Sequence, residues 1–427
     1  MSKVKPFISL IYSNIKRRVF NRGRKGSVVS RVKGSAEFDQ RPEQGRVKKF
    51  ISEDSTIYGC SDFLVERVSP SGKGYTRFLF DSRSGNCPHR GLFIYAQSRK
   101  EILFSDDNAK TWVVVAALDA LLPDTQQLSR FYAGSHCFVI QTKDPVETIV
   151  LDMNFSILSR ESLNGYHWHG TQGLGESNIG VIMFSEYQSV DEGGGKVSVW
   201  RLRPPYTGKW QRVLEKEFGR YPEGDVRHFH TCIPDPSCKS RWYLSSGDFF
   251  EHVKIWVTND DGDSWEQLSC ILSPNGLLGE EFKDIGVLAR FTSAIVSHGR
   301  LLWPTDDSLG IGRSAIVSAQ ISGAVARLEV LDLLGVNLLR NIVKLPVGYF
   351  VISESKDDVR FVDTYVLSEE GRVKRHFPIP NVSGKSTSVT DSIGSIFAEE
   401  GRFYFPNNGA LSVEKGGVIR FSLMGTS

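Results

Sequence analysis

Short β-rich runs, each ending in a small or polar cluster, recur along almost the whole chain. Their starts are separated by roughly 45–60 residues, the length of a four-stranded propeller blade. The runs are GLFIYAQS, HCFVIQTK, GVIMFSEY, RWYLSSGD, RLLWPTDD, GYFVISES and RFYFPNNG. Because a closed ring of repeats lets one domain grow beyond the usual core size, the rhythm predicts an all-β β-propeller over residues 51–427. We expect seven blades, with six as the alternative.

The rest of the pattern agrees with an all-β fold. After residue 50 the 3.6-residue periodicity of helices is almost absent, and Gly, Pro, Asn and Asp bound the strands. Residues 75–81, YTRFLFD, are expected to close the ring by pairing with the last blade's GGVIRFSLM. Closure of this kind removes exposed sheet edges.

Two segments, FSDDNAKTW and VTNDDGDSW, share a spacing that suits a tight hairpin. In such a turn an Asp accepts backbone N–H bonds, a Gly permits left-handed backbone and a Trp packs between sheets. The residues concerned are Ser105, Asp107 and Trp112 in the first segment, and Thr258, Asp260, Gly262 and Trp265 in the second. Both segments resemble the Asp-box (BNR repeat), S-x-D-x-G-x-[ST]-W, of sialidase-like propellers. Ala109 stands where that family prefers Gly.

Propeller topology predicts where a site should lie. In each blade the start of the first strand and the end of the second share one face, whereas the Asp-box turns, between strands three and four, lie on the other. Titratable side chains are abundant at the first of these faces. They are Glu186, Tyr187, Asp248, Asp306, Asp307 and Glu354 at strand-two ends, and His167, His169, Arg227, His228, His230 and Arg290 near strand-one starts. We take this rim as the candidate site.

Roles can be assigned to these residue types by their chemistry. His228 and His230 point to one face of a strand and suit a divalent metal, with Asp248, Asp306 or His169 completing the shell; the alternative is a hydrogen-bonded pair in a wet channel. Arg227 and Arg290 suit a sugar carboxylate or sulfate, or else neutralise the carboxylates of the rim.

The dipeptide Glu186–Tyr187 resembles the base and phenol that sialidases use to make a tyrosine nucleophile. Adjacent strand residues face opposite ways, however, so one rim residue and one buried residue are expected instead. The sequence has no F-R-I-P segment of the sialidase kind, no obvious third matching Arg, and no N-terminal Asp that aligns with the sialidase acid. The resemblance therefore points to the uncharacterised glycosyl-hydrolase-like branch of the group and does not predict a standard sialidase.

Three function classes remain. The first is an enzyme that cleaves an acidic polysaccharide or glycoconjugate by hydrolysis or β-elimination, with Glu186, Tyr187, His228, His230, Asp248, Asp306 and Glu354 as catalytic candidates and Arg227, Arg290, His169 and Trp168 as substrate contacts. The second is a non-catalytic glycan binder in which Trp168, Trp303 and Phe249 stack on sugars. The third is an assembly scaffold. The number of titratable groups on one rim favours the enzyme.

The first 50 residues differ from the rest, with 14 Lys/Arg against 3 Asp/Glu. Residues 6–20, PFISLIYSNIKRRVF, place apolar side chains at helical spacing before basic ones, which predicts a peripheral membrane contact through residues 6–25. No nucleic-acid motif is present, and a solvated basic arm is the simpler interpretation. A cytoplasmic or membrane-peripheral location is favoured over secretion. The six cysteines lack CxxC pairs, and free thiols are expected, including Cys232 and Cys238.

Overall fold

The computed structural model describes most of the chain between residues 48 and 423. The described ranges are 48–52, 55–59, 63–67, 75–81, 91–96, 100–107, 111–119, 121–123, 126–170, 172–188, 195–219, 225–248, 250–278, 285–306, 314–334, 338–345, 347–354, 361–380, 402–406 and 418–423. The chain divides into the units Met1–Arg46 and Val47–Ser427. The predicted basic arm and its membrane contact lie outside the described residues, so these two predictions remain open.

The described strands form seven sheets. The N-terminal strands are β1 (Lys48–Ser52), β2 (Ser55–Gly59) and β3 (Phe63–Arg67). Sheet 1 contains β4 (Tyr75–Asp81), β5 (Leu92–Ala96), β6 (Glu101–Ser105) and β7 (Val113–Ala117). Sheet 2 contains β8 (Gln127–Ala133), β9 (Phe138–Lys143), β10 (Thr148–Leu151) and β11 (Ile157–Glu161). Sheet 3 contains β12 (His167–Trp168), β13 (Leu174–Glu176), β14 (Ile182–Tyr187), β15 (Gly195–Leu202) and β16 (Gln211–Phe218).

The remaining sheets follow in chain order. Sheet 4 contains β17 (Phe229–Pro234), β18 (Trp242–Ser246), β19 (Ile255–Thr258) and β20 (Glu266–Gln267), with a 3-10 turn at Phe250–His252. Sheet 5 contains β21 (Ser269–Leu272), β22 (Ile295–Ser297), β23 (Arg300–Pro304), β24 (Ala315–Ser322) and β25 (Val325–Leu333), and a short α-helix, Ile285–Leu288, precedes β22. Sheet 6 contains β26 (Leu338–Lys344), β27 (Tyr349–Glu354), β28 (Phe361–Leu367) and β29 (Val373–Pro380). Sheet 7 contains β30 (Arg402–Pro406) and β31 (Val418–Leu423).

Sheets 1 to 6 pack side by side in chain order, and sheet 7 packs against sheet 1. Strand β4 contacts β8, β8 contacts β12, β14 contacts β17, β23 contacts β26, and β30 contacts β4. Pairing within the sheets is antiparallel apart from β21, which runs parallel to β25 at the outer edge of sheet 5. Each of the seven β-rich runs in the sequence contains or overlaps one strand, from β5 to β30. The prediction of an all-β propeller is confirmed, whereas the choice between seven blades and six stays a prediction.

Apolar packing between neighbouring sheets explains why the strand sequences look continuously hydrophobic. On β9, Phe138 and Ile140 join a buried cluster with Phe93 of sheet 1. Val139, between them, joins another cluster with Phe184 of sheet 3. Since alternate side chains enter different cores, both faces of a blade are buried and the strand needs no polar face. At roughly 1.5–3 kcal/mol for each fully buried large apolar side chain, these interfaces stabilise the ring.

The ring is closed by other strands than the sequence predicts. Strand β31 pairs with β3, with Phe63 opposite Leu423 and Arg67 opposite Ile419. The N-terminal strands therefore extend the last sheet in the order β1-β2-β3-β31-β30. The predicted partner, residues 75–81, instead forms β4 at the edge of sheet 1. The prediction was wrong because an earlier group of strands, residues 48–67, supplies the closure.

The first Asp-box-like segment forms the turn between β6 and β7. Asp107 Oδ1 accepts hydrogen bonds from Ser105 Oγ and from Thr111 N, both at 2.9 Å. Thr111 Oγ1 donates to Asp107 Oδ2 at 2.7 Å. One carboxylate thus ties both sides of the hairpin together.

The second such segment forms the corresponding turn between β19 and β20. Asp260 Oδ1 accepts from Thr258 Oγ1 at 2.6 Å and from Ser264 N at 2.9 Å, and Oδ2 accepts from Ser264 Oγ at 2.6 Å. Gly262 has φ of +89°. Trp265 packs against the core between sheets 3 and 4. Both turns join strands three and four of their sheets, as the resemblance to the Asp-box implies.

Four of the six cysteines lie in the described ranges, and all four are free thiols. Cys232 and Cys238 do not form the disulfide that their spacing would allow. Cys60 and Cys87 lie outside those ranges. In the described part of the chain, none of the helices has both the length and the apolar character needed to cross a bilayer.

Candidate functional site

Side chains from sheets 3, 4 and 5 converge at one end of the propeller. His228 and His230 stand at the start of β17, and Asp248 follows β18. Arg290 precedes β22, and Asp306 follows β23. The structure thus brings together strand-one starts and strand-two ends, as propeller topology predicts. We call this group the rim cluster; its members are Arg227, His228, His230, Asp248, Arg290 and Asp306, with His169 and Tyr187 beside them.

The two histidines and Asp248 form the centre of the rim cluster. His228 Nε2 and His230 Nε2 are 3.0 Å apart. Asp248 Oδ2 lies 3.2 Å from His228 Nε2, and Asp248 Oδ1 lies 3.6 Å from His230 Nε2. The imidazoles are almost completely buried, with side-chain exposures of 1% and 2%.

The opposite ring nitrogens of both histidines face backbone carbonyl oxygens. His228 Nδ1 lies 2.6 Å from the carbonyl oxygen of Gln188, and His230 Nδ1 lies 3.1 Å from that of Phe291. A carbonyl oxygen only accepts hydrogen bonds, so each Nδ1 carries the proton and donates it. The carbonyls come from the segment after β14 and from the segment before β22. Each ring is therefore oriented by a neighbouring sheet.

Both arginines contact the same carboxylate. Arg227 Nη1 donates to Asp248 Oδ2, and Arg290 Nη2 donates to Asp248 Oδ1 at 2.9 Å. Arg290 Nη2 also lies 3.5 Å from Asp306 Oδ2. Both guanidiniums therefore neutralise carboxylates of the rim, which is one of the two roles that the sequence allows for them. Arg227 keeps 24% of its side chain exposed, the larger fraction of the two.

Electrostatics in the rim cluster follow from burial and these contacts. Burial lowers the pKa of His228, against the opposing effect of its contact with Asp248. Burial alone would raise the pKa of Asp248, but its close contacts with the His228 and His230 imidazoles outweigh burial and hold that pKa well below its usual range. Asp248 is therefore a carboxylate and does not serve as a proton donor.

The backbone at the end of β18 is unusual. Asp248 has φ of +96°, a conformation that non-glycine residues rarely adopt. A Cβ on the preceding residue, Gly247, would lie 2.6 Å from His230 Cε1. The His230 ring can occupy its position only because residue 247 lacks a side chain. Strained backbone of this kind is concentrated at functional sites.

Tyr187 and His169 extend the rim cluster toward solvent. The Tyr187 ring centroid lies 4.2 Å from that of His228, and the His169 centroid lies 4.9 Å from Tyr187 and 5.6 Å from His230. Both side chains are half-buried, unlike the two central histidines. These are the aromatic and imidazole groups that a molecule approaching the rim cluster would meet.

Glu186 does not belong to the rim cluster. Its side chain is fully buried. The carboxyl accepts hydrogen bonds from Ser198 N at 2.7 Å, Trp200 Nε1 at 2.8 Å and Asn164 Nδ2 at 3.1 Å. Strand alternation turns Glu186 into the sheet while Tyr187 faces the histidines, so the structure does not bring Glu186 to the rim where the sequence predicts it.

The aromatic candidates for sugar stacking are also buried. Trp168 is 4% exposed and packs against Phe184 at a centroid distance of 5.8 Å, and Trp303 is 0% exposed. Neither indole can stack on a sugar, which corrects the assignment of Trp168 as a substrate contact. His167 is half-buried and contacts Ser129 Oγ at 3.2 Å, apart from the rim cluster. Asp307, Phe249 and the side chain of Glu354 lie outside what the structure describes.

Sequence reasoning missed the groups that position the histidines. The carbonyls of Gln188 and Phe291 carry no side-chain signal, since any residue could supply them. Gly247 did carry one, because a glycine directly before a polar residue at a strand end indicates a close approach of neighbouring atoms. The SGD sequence could therefore have indicated a crowded site.

No family model matches this chain, and no curated protein matches it. Solved structures do match. Prolyl oligopeptidase B from Galerina marginata superposes with a TM-score of 0.51 and 11% identity, covering 82% of this chain and 51% of that chain. A chain of the mitotic checkpoint complex superposes with a TM-score of 0.50 and 7% identity, covering 94% of this chain and 99% of that one. At these identities the similarity shows the propeller fold alone.

Proposed function

We propose that the rim cluster is the active site of an enzyme that cleaves an acidic polysaccharide or glycoconjugate by β-elimination. The observation that carries the proposal is the convergence of two arginines, three histidines and a tyrosine on one rim whose described carboxylates are already engaged. The chain is further proposed to be a distant, seven-bladed relative of the Asp-box propellers, on the basis of the matching turns at Asp107 and Asp260.

The state of the carboxyl groups argues against hydrolysis. A glycoside hydrolase needs two accessible carboxyls, one of which is protonated. In the described part of the rim, Asp248 is held ionised and contacts both arginines, and Asp306 is 1% exposed beside Arg290. Glu186 is buried away from the rim. These residues do not provide the required pair.

The accessible groups suit elimination instead. Proton abstraction next to a uronate carboxylate needs a base and a positively charged group to stabilise the resulting anion. In the proposed reaction Tyr187 or His169 removes the proton from C5, the electron pair forms the C4–C5 double bond, and the C4–oxygen bond breaks. The departing oxygen then takes up a proton. Arg227, with its partly exposed guanidinium, would bind the carboxylate.

The test is to incubate the purified protein with a panel of uronate-containing polysaccharides and to follow unsaturated-uronate absorbance and reducing ends together. We expect both signals to rise in proportion, because each elimination gives one unsaturated end and one reducing end. Arg227→Ala and Tyr187→Phe should each lower the rate by about 10²-fold or more, the usual contribution of a positioned acid–base group. Tyr166→Phe, which changes a half-buried tyrosine packed against Phe218, is the matched control.

Other outcomes would replace the proposal. Reducing ends without unsaturated product would indicate hydrolysis. Saturable glycan binding without any product would indicate a non-catalytic binding propeller. Equal losses in Tyr166→Phe and Tyr187→Phe would show that the tyrosine effect reflects packing rather than chemistry.

A further inference from the structure

Three side chains of the rim cluster, those of His228, His230 and Asp248, direct potential metal ligands into one small volume. The Nδ1 atoms of His228 and His230 donate to the carbonyls of Gln188 and Phe291, so in the neutral imidazoles both Nε2 atoms carry lone pairs. These Nε2 atoms are 3.0 Å apart. The carboxylate oxygens of Asp248 face the same volume. Acceptors this close would repel one another, so either a metal ion or a shared proton between them would stabilise the arrangement.

The separations are those of donors that share one metal ion. Nitrogen and oxygen ligands at roughly 2.0–2.2 Å from a metal in tetrahedral or octahedral geometry are about 3.0–3.5 Å apart. The three observed separations, 3.0, 3.2 and 3.6 Å, fall in or next to this interval. All three donor atoms lie within 4.8 Å of one another.

The surroundings are also those of a metal site. Imidazole ligands of metals usually donate their other ring N–H to a carbonyl or carboxylate, which fixes the tautomer and the ring orientation. Both histidines have this partner, each from a different neighbouring sheet. The arginines do not prevent ligation by Asp248, because each carboxylate oxygen has two lone pairs and can accept a hydrogen bond while binding a metal.

We infer that His228 Nε2, His230 Nε2 and the Asp248 carboxylate bind one divalent transition metal ion of the kind that prefers mixed nitrogen and oxygen ligands. Among the described members of the rim cluster, the two arginines and the carboxylates of Asp248 and Asp306 balance in charge, so the bound ion gives this group a net positive charge. That charge favours an anionic ligand at the rim. The inference of a metal site is drawn from the side-chain geometry and does not depend on the proposed lyase activity. Metal binding can therefore be measured without substrate.

The experiment is to strip the full-length protein with chelator, titrate it with Zn²⁺ and determine the stoichiometry and affinity by calorimetry. We expect one equivalent per chain. His228→Ala and His230→Ala should each weaken binding by at least tenfold, since each removes one ligand. His376→Ala is the matched control: this histidine also contacts a carboxylate, Asp363 Oδ1 at 2.9 Å, but lies in sheet 6. It should leave affinity unchanged.

A second measurement keeps the test valid if the alanine variants fold poorly. Wild-type protein titrated with Co²⁺ should develop the visible absorption of an ion with nitrogen ligands, and Asp248→Asn should change that spectrum and weaken binding. Absence of stoichiometric Zn²⁺ and Co²⁺ binding in the wild type would overturn the inference and indicate that a shared proton occupies the volume. Retention of full affinity in both folded histidine variants would overturn it as well. Either result would overturn the metal site alone, and the proposed lyase activity would still be decided by its own assay.

Discussion

Glu186 and Tyr187 are neighbours in sequence with separate environments. On β14 the carboxyl of Glu186 enters the sheet and accepts three hydrogen bonds, whereas the ring of Tyr187 meets the histidines. The alternation of side chains along a strand accounts for this separation. One residue therefore contributes to the stability of the blade, and the next one is available to the site.

Burial of Glu186 leads to a pH-dependent stability. Burial raises its pKa to about 7, although hydrogen bonds from Trp200, Asn164 and Ser198 act in the opposite direction. The folded state then binds more protons than the unfolded state between about pH 4.5, the ordinary pKa of a glutamate, and about pH 7. Stability should therefore fall as pH rises through this window, by roughly 3 kcal/mol for a shift of this size, and should level off above it.

The measurement is urea unfolding of wild type and Glu186→Gln at about pH 5 and about pH 8. The substitution should remove most of the pH slope, because glutamine does not titrate. Its absolute stability should be lower, since its amide group meets hydrogen-bond donors. An unchanged slope in the variant would show that another group is responsible.

At the residue scale, the sequence predicted which side chains meet but not how each is oriented. His228, His230 and Asp248 could be predicted because strand order alone places them on one rim. The burial of Trp168 could not be predicted, since it depends on packing in a core that sheets 2 and 3 share, where Trp168 lies with Val139 and Phe184. The histidine tautomers depend on backbone carbonyls, which leave no trace in the sequence.

The two hairpin turns show how a short motif fixes the end of a blade. In both turns a single Asp accepts hydrogen bonds from the residue two positions before it and from the backbone and side chain four positions after it. Their spacing was predictable because the interactions are local. In the second copy the turn glycine, Gly262, adopts positive φ; the corresponding Ala109 of the first copy lies outside the described residues.

Removal of one of these carboxylates should destabilise its blade. Asp260→Ala loses the bonds from Thr258 and Ser264, and we expect a loss of about 1–2 kcal/mol in the free energy of unfolding, given the solvent exposure of the turn. Thermal and urea unfolding would measure it. Asp119→Ala is the control. The Asp119 side chain is 70% exposed, and its ion pair with Lys100 is long, with 4.0 Å between Oδ1 and Nζ. Equal stability of the two variants would contradict a structural role for the motif.

At the scale of the whole molecule, the sequence rhythm predicted the architecture but not the closure. Each blade repeats the same local pattern, so periodicity alone indicates a propeller. Pairing of β3 with β31 joins residues more than 350 positions apart in sequence. No local signal distinguishes β3 from β4 as the closing strand, since both are short and apolar.

Because β3 pairs with β31, two N-terminal truncations should differ in stability. Deletion of residues 1–46 leaves every described strand in place. Deletion of residues 1–67 removes β1, β2 and β3 and leaves β31 with an unpaired edge. The second variant should melt at a lower temperature and self-associate, because exposed strand edges pair between molecules. Thermal unfolding and size-exclusion chromatography would detect this, and identical behaviour of the two variants would argue against closure through β3.

His228 and His230 lie in sheet 4, but the carbonyls that orient them belong to the segments that follow β14 in sheet 3 and precede β22 in sheet 5. The distance between the two Nε2 atoms thus depends on the spacing of three blades. A substitution deep in either blade interface would shift one carbonyl relative to the other and alter that distance while the ring remained folded. Mutations far from the rim should therefore impair its ligand affinity as well as lower the melting temperature.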